Sequence, residues 1–183
     1  MQANLTTAIG HILDDEGGFA QRAGEPGGAV NKGVSFLAFQ IWRNAQRKPA
    51  PTFADLKALT VEEATAIYTA NYAAKIGFAT LPAGVDYAAL DSAVNEGVAF
   101  TNALLTLTHS IDDARARIQF MSDTRLGLKK LKPGWKSYGH GWTDRIGVNV
   151  IARATALASQ PKTPALAEHV EAIAAAKVQG GGA

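Results

Sequence analysis

The amino-acid sequence predicts a mainly α-helical protein with at most a small β-hairpin near residues 18–34. Apolar residues recur at helical spacing along much of the chain, helix-capping residues precede several of these stretches, and the alternation typical of strands is scarce. With 183 residues, 47% of them hydrophobic, the chain can bury a substantial core in one domain or in two small lobes.

The first helix is predicted to end at Glu16. Its apolar stripe, at steps of three and four residues, consists of Leu5, Ala8, Ile9, Ile12 and Leu13. Glu16 continues this stripe, so its side chain should project from the core-facing side of the helix. Asp14 and Asp15 fall off the stripe and are expected in solvent.

The position of Glu16 is unusual for a carboxylate. The carbonyl end of a helix carries partial negative charge, and three consecutive acids there repel one another and the helix dipole. Both effects favour the protonated form of any member that is also desolvated. A carboxylic acid that keeps its proton near neutral pH is a proton donor, so Glu16 is a candidate catalytic acid. The alternative is a solvated acidic helix end without chemistry.

A glycine-rich segment, GGFAQRAGEPGG, follows this helix and carries a second acid, Glu25. The segment cannot continue the helix and must turn, because of its glycines and Pro26. A hairpin or loop here can bring Glu25 opposite Glu16. One carboxyl group can then act as general acid and the other as base or nucleophile, which is the arrangement that glycosidic hydrolysis requires.

Helices also dominate the rest of the chain. Ser35 is predicted to cap a helix that extends through Trp42, and Thr60 and Glu63 form a capping box ahead of the next helix. Further helices are predicted at about 87–107, 111–129, 142–158 and 164–178, the last with Thr163 and Pro164 in the N-cap and first-turn positions. The Gly/Pro stretch near residues 77–86 is predicted to separate a catalytic lobe, 1–80, from a helical lobe, 81–183.

The composition excludes several classes of protein. Cysteine is absent, which excludes a disulfide scaffold, a thiol nucleophile and a cysteine-based metal site. The four histidines lack the spacing of metal ligands, so no metal is expected; they are His11, His109, His140 and His169. A net charge of +2 suits an anionic cell wall but is too weak to indicate nucleic acid.

The start of the chain predicts where the protein is made. It lacks a basic segment, and its apolar stretch is too short for a secretory signal. No apolar run approaches the roughly 20 residues that span a bilayer. We therefore expect synthesis in the cytoplasm without a signal peptide, no stable membrane insertion, and a monomer.

Three segments resemble a known family. DEGGFAQRAGEPGGAVNKGVS resembles the signature of glycoside hydrolase family 108, which runs Glu-Gly-Gly, a short loop, Asp-Pro-Gly-Gly-Ala-Thr-Asn and Gly-Ile-Thr. DYAALDSAVNEG and SYGHGWTDRI resemble the Val-Asn-x-Gly and Gly-Trp-x-x-Arg segments of the peptidoglycan-binding half found in that family. The resemblance implies a lysozyme-like helical fold and an N-acetylmuramidase that cleaves the β-1,4 bond between N-acetylmuramic acid and N-acetylglucosamine.

The family resemblance also implies a biological setting. Its members are commonly phage or prophage endolysins, which act on the cell wall in the periplasm after release from the cytoplasm. A holin is the expected partner for that release, and peptidoglycan glycan strands are the expected substrate. No cofactor is required for this chemistry.

The family's catalytic residues map onto this sequence one by one. The catalytic glutamate falls on Glu16, and the loop aspartate falls on Glu25, whose side chain is longer by one methylene. The family's threonine falls on Val30, and its asparagine is retained as Asn31. We therefore predict that Glu16 protonates the glycosidic oxygen, that Glu25 acts through a water or stabilises the oxocarbenium-like transition state, and that Asn31 orients water or substrate.

Additional substrate contacts are predicted in the second half. Asn95 either satisfies a hydrogen bond within its helix or contacts sugar. Trp135 and Tyr138, in a glycine-rich loop, either stack on sugar rings or fill the gap between the lobes. Trp142 and Arg145 are predicted to be structural. For Arg145 the predicted partner is an acid at the lobe junction, and Asp91 is the candidate.

Two other functions remain open at the level of sequence. A lytic transglycosylase on a similar fold needs one acid and releases a cyclised muramyl product without adding water. A non-catalytic cell-wall-binding or secretion accessory protein is suggested by the departures at Glu25 and Val30.

Overall fold

The structure is a computed structural model that describes residues 2–21 and 28–160. Within them the protein is mainly helical with one small antiparallel sheet, which confirms the predicted fold class. The α-helices are α1 Gln2–Glu16, α2 Phe36–Ala45, α3 Phe53–Lys57, α4 Val61–Tyr68, α5 Val85–Glu96, α6 Val98–Leu107, α7 Ala114–Lys130, α8 Trp135–Trp142 and α9 Ile151–Ala158. Two π-helical segments span Thr69–Ala73 and Thr143–Val150, and short 3₁₀ helices span Ala74–Ile76 and Phe78–Thr80.

The sheet confirms the hairpin predicted near residues 18–34. Its strands are β1 Ala20–Gln21, β2 Ala29–Asn31 and β3 Val34–Ser35, in the order β1-β2-β3. Both pairings are antiparallel, with Ala20 opposite Val30 and Val30 opposite Ser35. Glu25 lies in the connection between β1 and β2, outside the described residues. The predicted helix at 164–178 also lies outside them.

Local capping explains where several helices begin. The Ser35 hydroxyl accepts a hydrogen bond from the Ala38 backbone N–H at 3.2 Å, as predicted. At the start of α4 the Thr60 hydroxyl accepts from the Glu63 N–H at 3.1 Å. A complete capping box of Thr52 and Asp55, not predicted from the sequence, begins the short helix α3.

Two predicted helices differ from the structure. The helix expected at 87–107 is divided into α5 and α6, because Gly97 between them has a φ of 98° that only glycine adopts readily. The helix expected at 142–158 begins earlier, at Trp135, and continues through the second π segment to Ala158. Trp135 and Tyr138 therefore lie on a helix and not in a loop.

Helix α5 lies at the centre of the fold. Every residue from Val85 to Ala93 is buried, and the helix packs against α1, α6, α7 and α9. The alanines of α5 allow the close approach of these neighbours, and its two buried acids, Asp86 and Asp91, are hydrogen-bonded. The buried hydrophobic residues from both sides of the 77–86 stretch form one cluster around it. This packing brings the end of α1 next to α5 and the second π segment.

Among the described residues, no helix combines the length and the apolar character needed to cross a bilayer.

Candidate active site

Glu16 is the last residue of α1 and is partly exposed. Ile9 and Ile12, earlier on the same stripe, are buried, whereas the Glu16 side chain keeps 21% of its surface accessible. Gly17 follows with a φ of 71°, which turns the chain away from the helix axis. The carboxylate therefore emerges from the core-facing side of the helix, as the sequence predicted.

A backbone turn forms one wall of the carboxylate site. Gly33, between β2 and β3, has a φ of 73°, and a Cβ at this position would lie 2.8 Å from Glu16 Oε2 and would also collide with the Tyr68 hydroxyl. Tyr68 in turn donates a hydrogen bond to the Lys32 carbonyl at 3.0 Å. Glycine is thus required here by space as well as by conformation.

Two tyrosines face the same carboxylate. Burial, and then the negative charge of Glu16, raises the pKa of Tyr68 and of Tyr72. Their rings lie 5.6 Å apart, and Tyr72 is the less buried of the two. Both hydroxyls remain protonated across the physiological range, so they are neutral groups beside Glu16.

Arg145 connects Glu16 to the buried acid Asp91. Arg145 Nη2 lies 3.5 Å from Glu16 Oε1 and donates a hydrogen bond to Asp91 Oδ1 at 3.1 Å. The predicted pairing of Arg145 with Asp91 is confirmed. Burial lowers the pKa of Arg145, but the charges of Asp91, Glu16 and Asp15 outweigh it, so the net shift is upward and the guanidinium stays charged.

The ion pairs continue through the core as a charge chain. It consists of Glu16, Arg145, Asp91, Arg125, Glu96 and Lys129. Arg125, only 1% exposed, donates to Asp91 at 2.6 Å and to Glu96 at 2.7 Å. The alternation of sign means that each buried charge has an opposite neighbour, which is the condition for tolerating ions in a core.

The other acids at the end of α1 are less repulsive than the sequence suggested. Asp14 is exposed, as predicted. Asp15 lies 2.7 Å from Arg153, whose pKa is raised by its hydrogen bonds to Asp15 and then to Tyr87. Because Arg153 offsets Asp15 and Arg145 faces Glu16, repulsion among the three acids is not the main electrostatic influence on Glu16.

Two predicted polar residues have partners within the fold. Asn31 is 2% exposed, and its amide donates to the carbonyls of Leu56 at 2.9 Å and Lys57 at 3.1 Å, which fastens β2 to the end of α3. Asn95 is exposed, and its amide donates to the Asp91 carbonyl at 2.7 Å. The hydrogen bonds of Asn31 therefore stabilise the fold, whereas the Asn95 side chain remains accessible to a ligand.

The predicted aromatic residues form a separate cluster on α8. Trp135 and Tyr138 lie 6.1 Å and 6.0 Å from Trp142, measured between ring centroids, and the Lys129 ammonium lies over the Trp142 ring. Tyr138 is 65% exposed. A surface pocket of about 460 Å³ lies beside Trp135. The structure therefore brings Glu16, Arg145 and Asp91 together but does not bring the aromatic cluster into contact with them.

The approach of Tyr68 and Gly33 to Glu16 was not predicted from the sequence. Tyr72 and Arg145 lie on the two π-helical segments, Thr69–Ala73 and Thr143–Val150. Such segments often occur at functional sites, because the extra residue redirects a side chain. The Gly-Trp-x-x-Arg motif is the one signal that singled out Arg145 beforehand. Within the described part of the chain, no group of three His, Asp or Glu side chains is placed to hold a metal.

Comparison with known proteins identifies the class. The family described as glycosyl hydrolase 108 matches residues 9–97, a range that contains Glu16, Tyr68 and Asp91 but not Arg145. The protein is thus a glycoside hydrolase of the peptidoglycan-cleaving type. No curated protein matches the sequence.

A solved structure extends this similarity over most of the chain. The structure of Brucella abortus SagA superimposes with a TM-score of 0.74 at 30% sequence identity, covering 89% of this chain and 100% of that one. The chain belongs to glycosyl hydrolase family 108.

Proposed function

We propose that the protein is an N-acetylmuramidase that hydrolyses the β-1,4 bond between N-acetylmuramic acid and N-acetylglucosamine, with Glu16 as the general acid. The observation that carries this proposal is the position of the Glu16 carboxylate. It is 21% exposed at the end of a packed helix, and it faces Arg145 at 3.5 Å. Such a group is both accessible to substrate and fixed in position, as proton transfer requires.

The surroundings of Glu16 suit both stages of proton transfer. Before the reaction, Arg145 lies 3.5 Å from the Glu16 carboxyl group and is itself held by a hydrogen bond to Asp91 at 3.1 Å. Once the proton has moved to the glycosidic oxygen, the positive charge of Arg145 stabilises the carboxylate that remains.

Glu25 is proposed as the second catalytic group. Two other acids near Glu16 are poorly suited to that role, since Asp91 is fully buried between two arginines and Asp15 is paired with Arg153 at 2.7 Å. Glu25 is carried by the connection between β1 and β2, which lies outside the described residues. There it would activate a water or stabilise the oxocarbenium-like transition state.

The remaining contacts would bind the glycan strand. Trp135 and Tyr138 present aromatic faces that can stack on sugar rings, and Asn95 offers an exposed amide. The setting proposed from the family is that of a phage or prophage endolysin, released to the wall with the help of a holin.

The decisive experiment is sacculus lysis with wild type and Glu16→Gln. Glutamine keeps the shape of the side chain but cannot donate a carboxyl proton, so we expect a loss of at least ~10²-fold in rate with unchanged binding to sacculi. Equal lysis by both proteins would contradict the proposal. Glu25→Gln should also lyse sacculi more slowly than wild type, with an unchanged melting temperature.

A lytic transglycosylase, which needs one acid, is the second candidate; it is favoured by the ion pairs that hold the other described acids near Glu16, Asp15 and Asp91. Product mass separates the two reactions. Hydrolysis adds one water to each cleaved bond, whereas cyclisation of the muramyl 6-hydroxyl does not. A wild-type protein that binds sacculi tightly and releases no product would instead be a wall-binding or secretion accessory protein.

A further inference from the structure

We infer that Arg145, held in place by Asp91, is a positioning residue for Glu16, so that the second half of the chain completes the catalytic site. The inference rests on the proposed role of Glu16 as the acid. It assigns a function at the reaction centre to an arginine that lies outside residues 9–97, the range matched by the family model.

One guanidinium nitrogen serves both carboxylates. Arg145 Nη2 is 3.1 Å from Asp91 Oδ1 and 3.5 Å from Glu16 Oε1. The shorter contact is a hydrogen bond to a residue with no exposed surface, so it fixes where the guanidinium lies. The longer contact then restricts the Glu16 carboxylate without holding it in a short hydrogen bond that would compete with substrate.

Asp91 is itself held from the opposite side. Arg125, on α7, donates to Asp91 Oδ2 at 2.6 Å, and Asn95 donates to the Asp91 carbonyl at 2.7 Å. Asp91 therefore keeps a charged partner if Arg145 is replaced. For this reason loss of Arg145 should alter Glu16 more than it alters the fold.

Among the described residues, Arg145 is the one cation within ion-pair distance of Glu16. The other groups that face Glu16 are the hydroxyls of Tyr68 and Tyr72, which are neutral, and the adjacent acids. Asp15 is paired with Arg153, and Asp14 is exposed. Among these groups, Arg145 is therefore the one whose charge attracts the Glu16 carboxylate and orients it.

The test compares Arg145→Gln, Arg145→Lys and a matched control, Arg153→Gln. Arg153 is suitable because its side chain is 26% exposed, against 24% for Arg145, and it pairs with Asp15, the residue just before Glu16. Initial rates of sacculus lysis would be measured as a function of sacculus concentration, with melting temperatures for each variant.

For Arg145→Gln we expect kcat to fall by ~10- to ~10²-fold with KM within about 2-fold, because the acid is misplaced while the glycan contacts remain. Arg145→Lys should recover part of kcat. Arg153→Gln should leave kcat and KM near their wild-type values.

A folded Arg145→Gln variant with wild-type kcat would overturn the inference. If that variant does not fold, Arg145→Lys provides the test, because it keeps the positive charge but replaces the guanidinium; kcat should stay below wild type with KM unchanged, and a wild-type kcat would overturn the inference. Activity retained in Glu16→Gln would contradict the proposed function instead, so the two failures are distinguishable.

Discussion

The backbone of Gly33 lies against the carboxylate of Glu16. A methyl group on Gly33 would come within 2.8 Å of Glu16 Oε2 and 2.9 Å of its Cδ, and would also overlap the Tyr68 hydroxyl. The turn between β2 and β3 therefore sets the position of the Glu16 carboxyl group by contact. Because this wall is main chain, it has no rotamers through which it could yield.

Gly33→Ala should consequently reduce lysis strongly. The substitution displaces Glu16 or Tyr68, and it places an alanine at a φ of 73°. We expect a stability loss of more than about 2 kcal/mol and a kcat loss on the order of 10²-fold. Thermal unfolding and lysis rates measure the two effects.

Gly28→Ala is the matched control for that prediction. Gly28 has a φ of 70°, but a Cβ there meets nothing within 4 Å. Its alanine variant should show the backbone cost alone, about 1–2 kcal/mol, with near wild-type kcat in the folded protein. Similar kcat values for the two variants would mean that Gly33 does not position Glu16.

The local part of the site could be predicted from the sequence. The apolar stripe of α1 gave both the exit direction of Glu16 and the end of the helix, since these depend on residues within one or two turns. The Ser35 cap and the hairpin near residues 18–34 are equally local. Their prediction required only helical periodicity, capping and turn chemistry.

The tertiary part could not be predicted in the same way. Tyr68, Gly33 and Arg145 reach Glu16 from three different elements, and no sequence spacing encodes that meeting. The π segments that carry Tyr72 and Arg145 have no sequence pattern distinct from that of an α-helix. The ion pair of Asp15 with Arg153 could not be predicted for the same reason, because Arg153 is remote from Asp15 in sequence.

Arg125 should be among the residues most important for stability. It is 1% exposed and bridges Asp91 and Glu96 at 2.6 Å and 2.7 Å. Arg125→Met keeps much of the side-chain volume but removes one charged partner from Asp91 and one from Glu96. We therefore expect destabilisation by about 3–5 kcal/mol in urea unfolding. Arg115→Met, an exposed change on the same helix, should stay within about 0.5 kcal/mol. Equal urea midpoints for the two variants would show that the charge chain contributes little to the free energy of unfolding.

The aromatic cluster on α8 can be tested separately from catalysis. Tyr138 is 65% exposed, so Tyr138→Ala should have little effect on stability. If the ring stacks on sugar, KM for sacculi should rise by up to ~10-fold while kcat at saturation is unchanged. Phe120→Ala is the control, since it removes another exposed ring, 46% accessible, from α7. If Tyr138→Ala, Phe120→Ala and wild type had the same KM, Tyr138 would not be part of the glycan-binding surface.

Asp86 should make stability depend on pH in an unusual direction. It is 1% exposed, at the start of α5, and burial raises its pKa despite hydrogen bonds from Asn4, Tyr87 and Gly84. A raised native pKa means that the folded state binds the proton more tightly than the unfolded chain. The stability from this group is therefore fully present below the unfolded value of 3.8 and is lost as pH rises through the native pKa.

Asp86→Asn removes this titration while keeping an oxygen to accept from Gly84 and Tyr87. Denaturant titrations should therefore show that the unfolding free energy of this variant, relative to that of wild type, increases from ~pH 3 to ~pH 7. Asp55→Asn should behave in the opposite way, because hydrogen bonds from Thr52, first the backbone N–H and then the hydroxyl, lower the pKa of Asp55. Its contribution is present above the unfolded value and is lost as pH falls, so that variant should compare worst with wild type at neutral pH. If the difference in unfolding free energy from wild type changed with pH in the same direction for both variants, the assignment of a raised native pKa to Asp86 would be wrong.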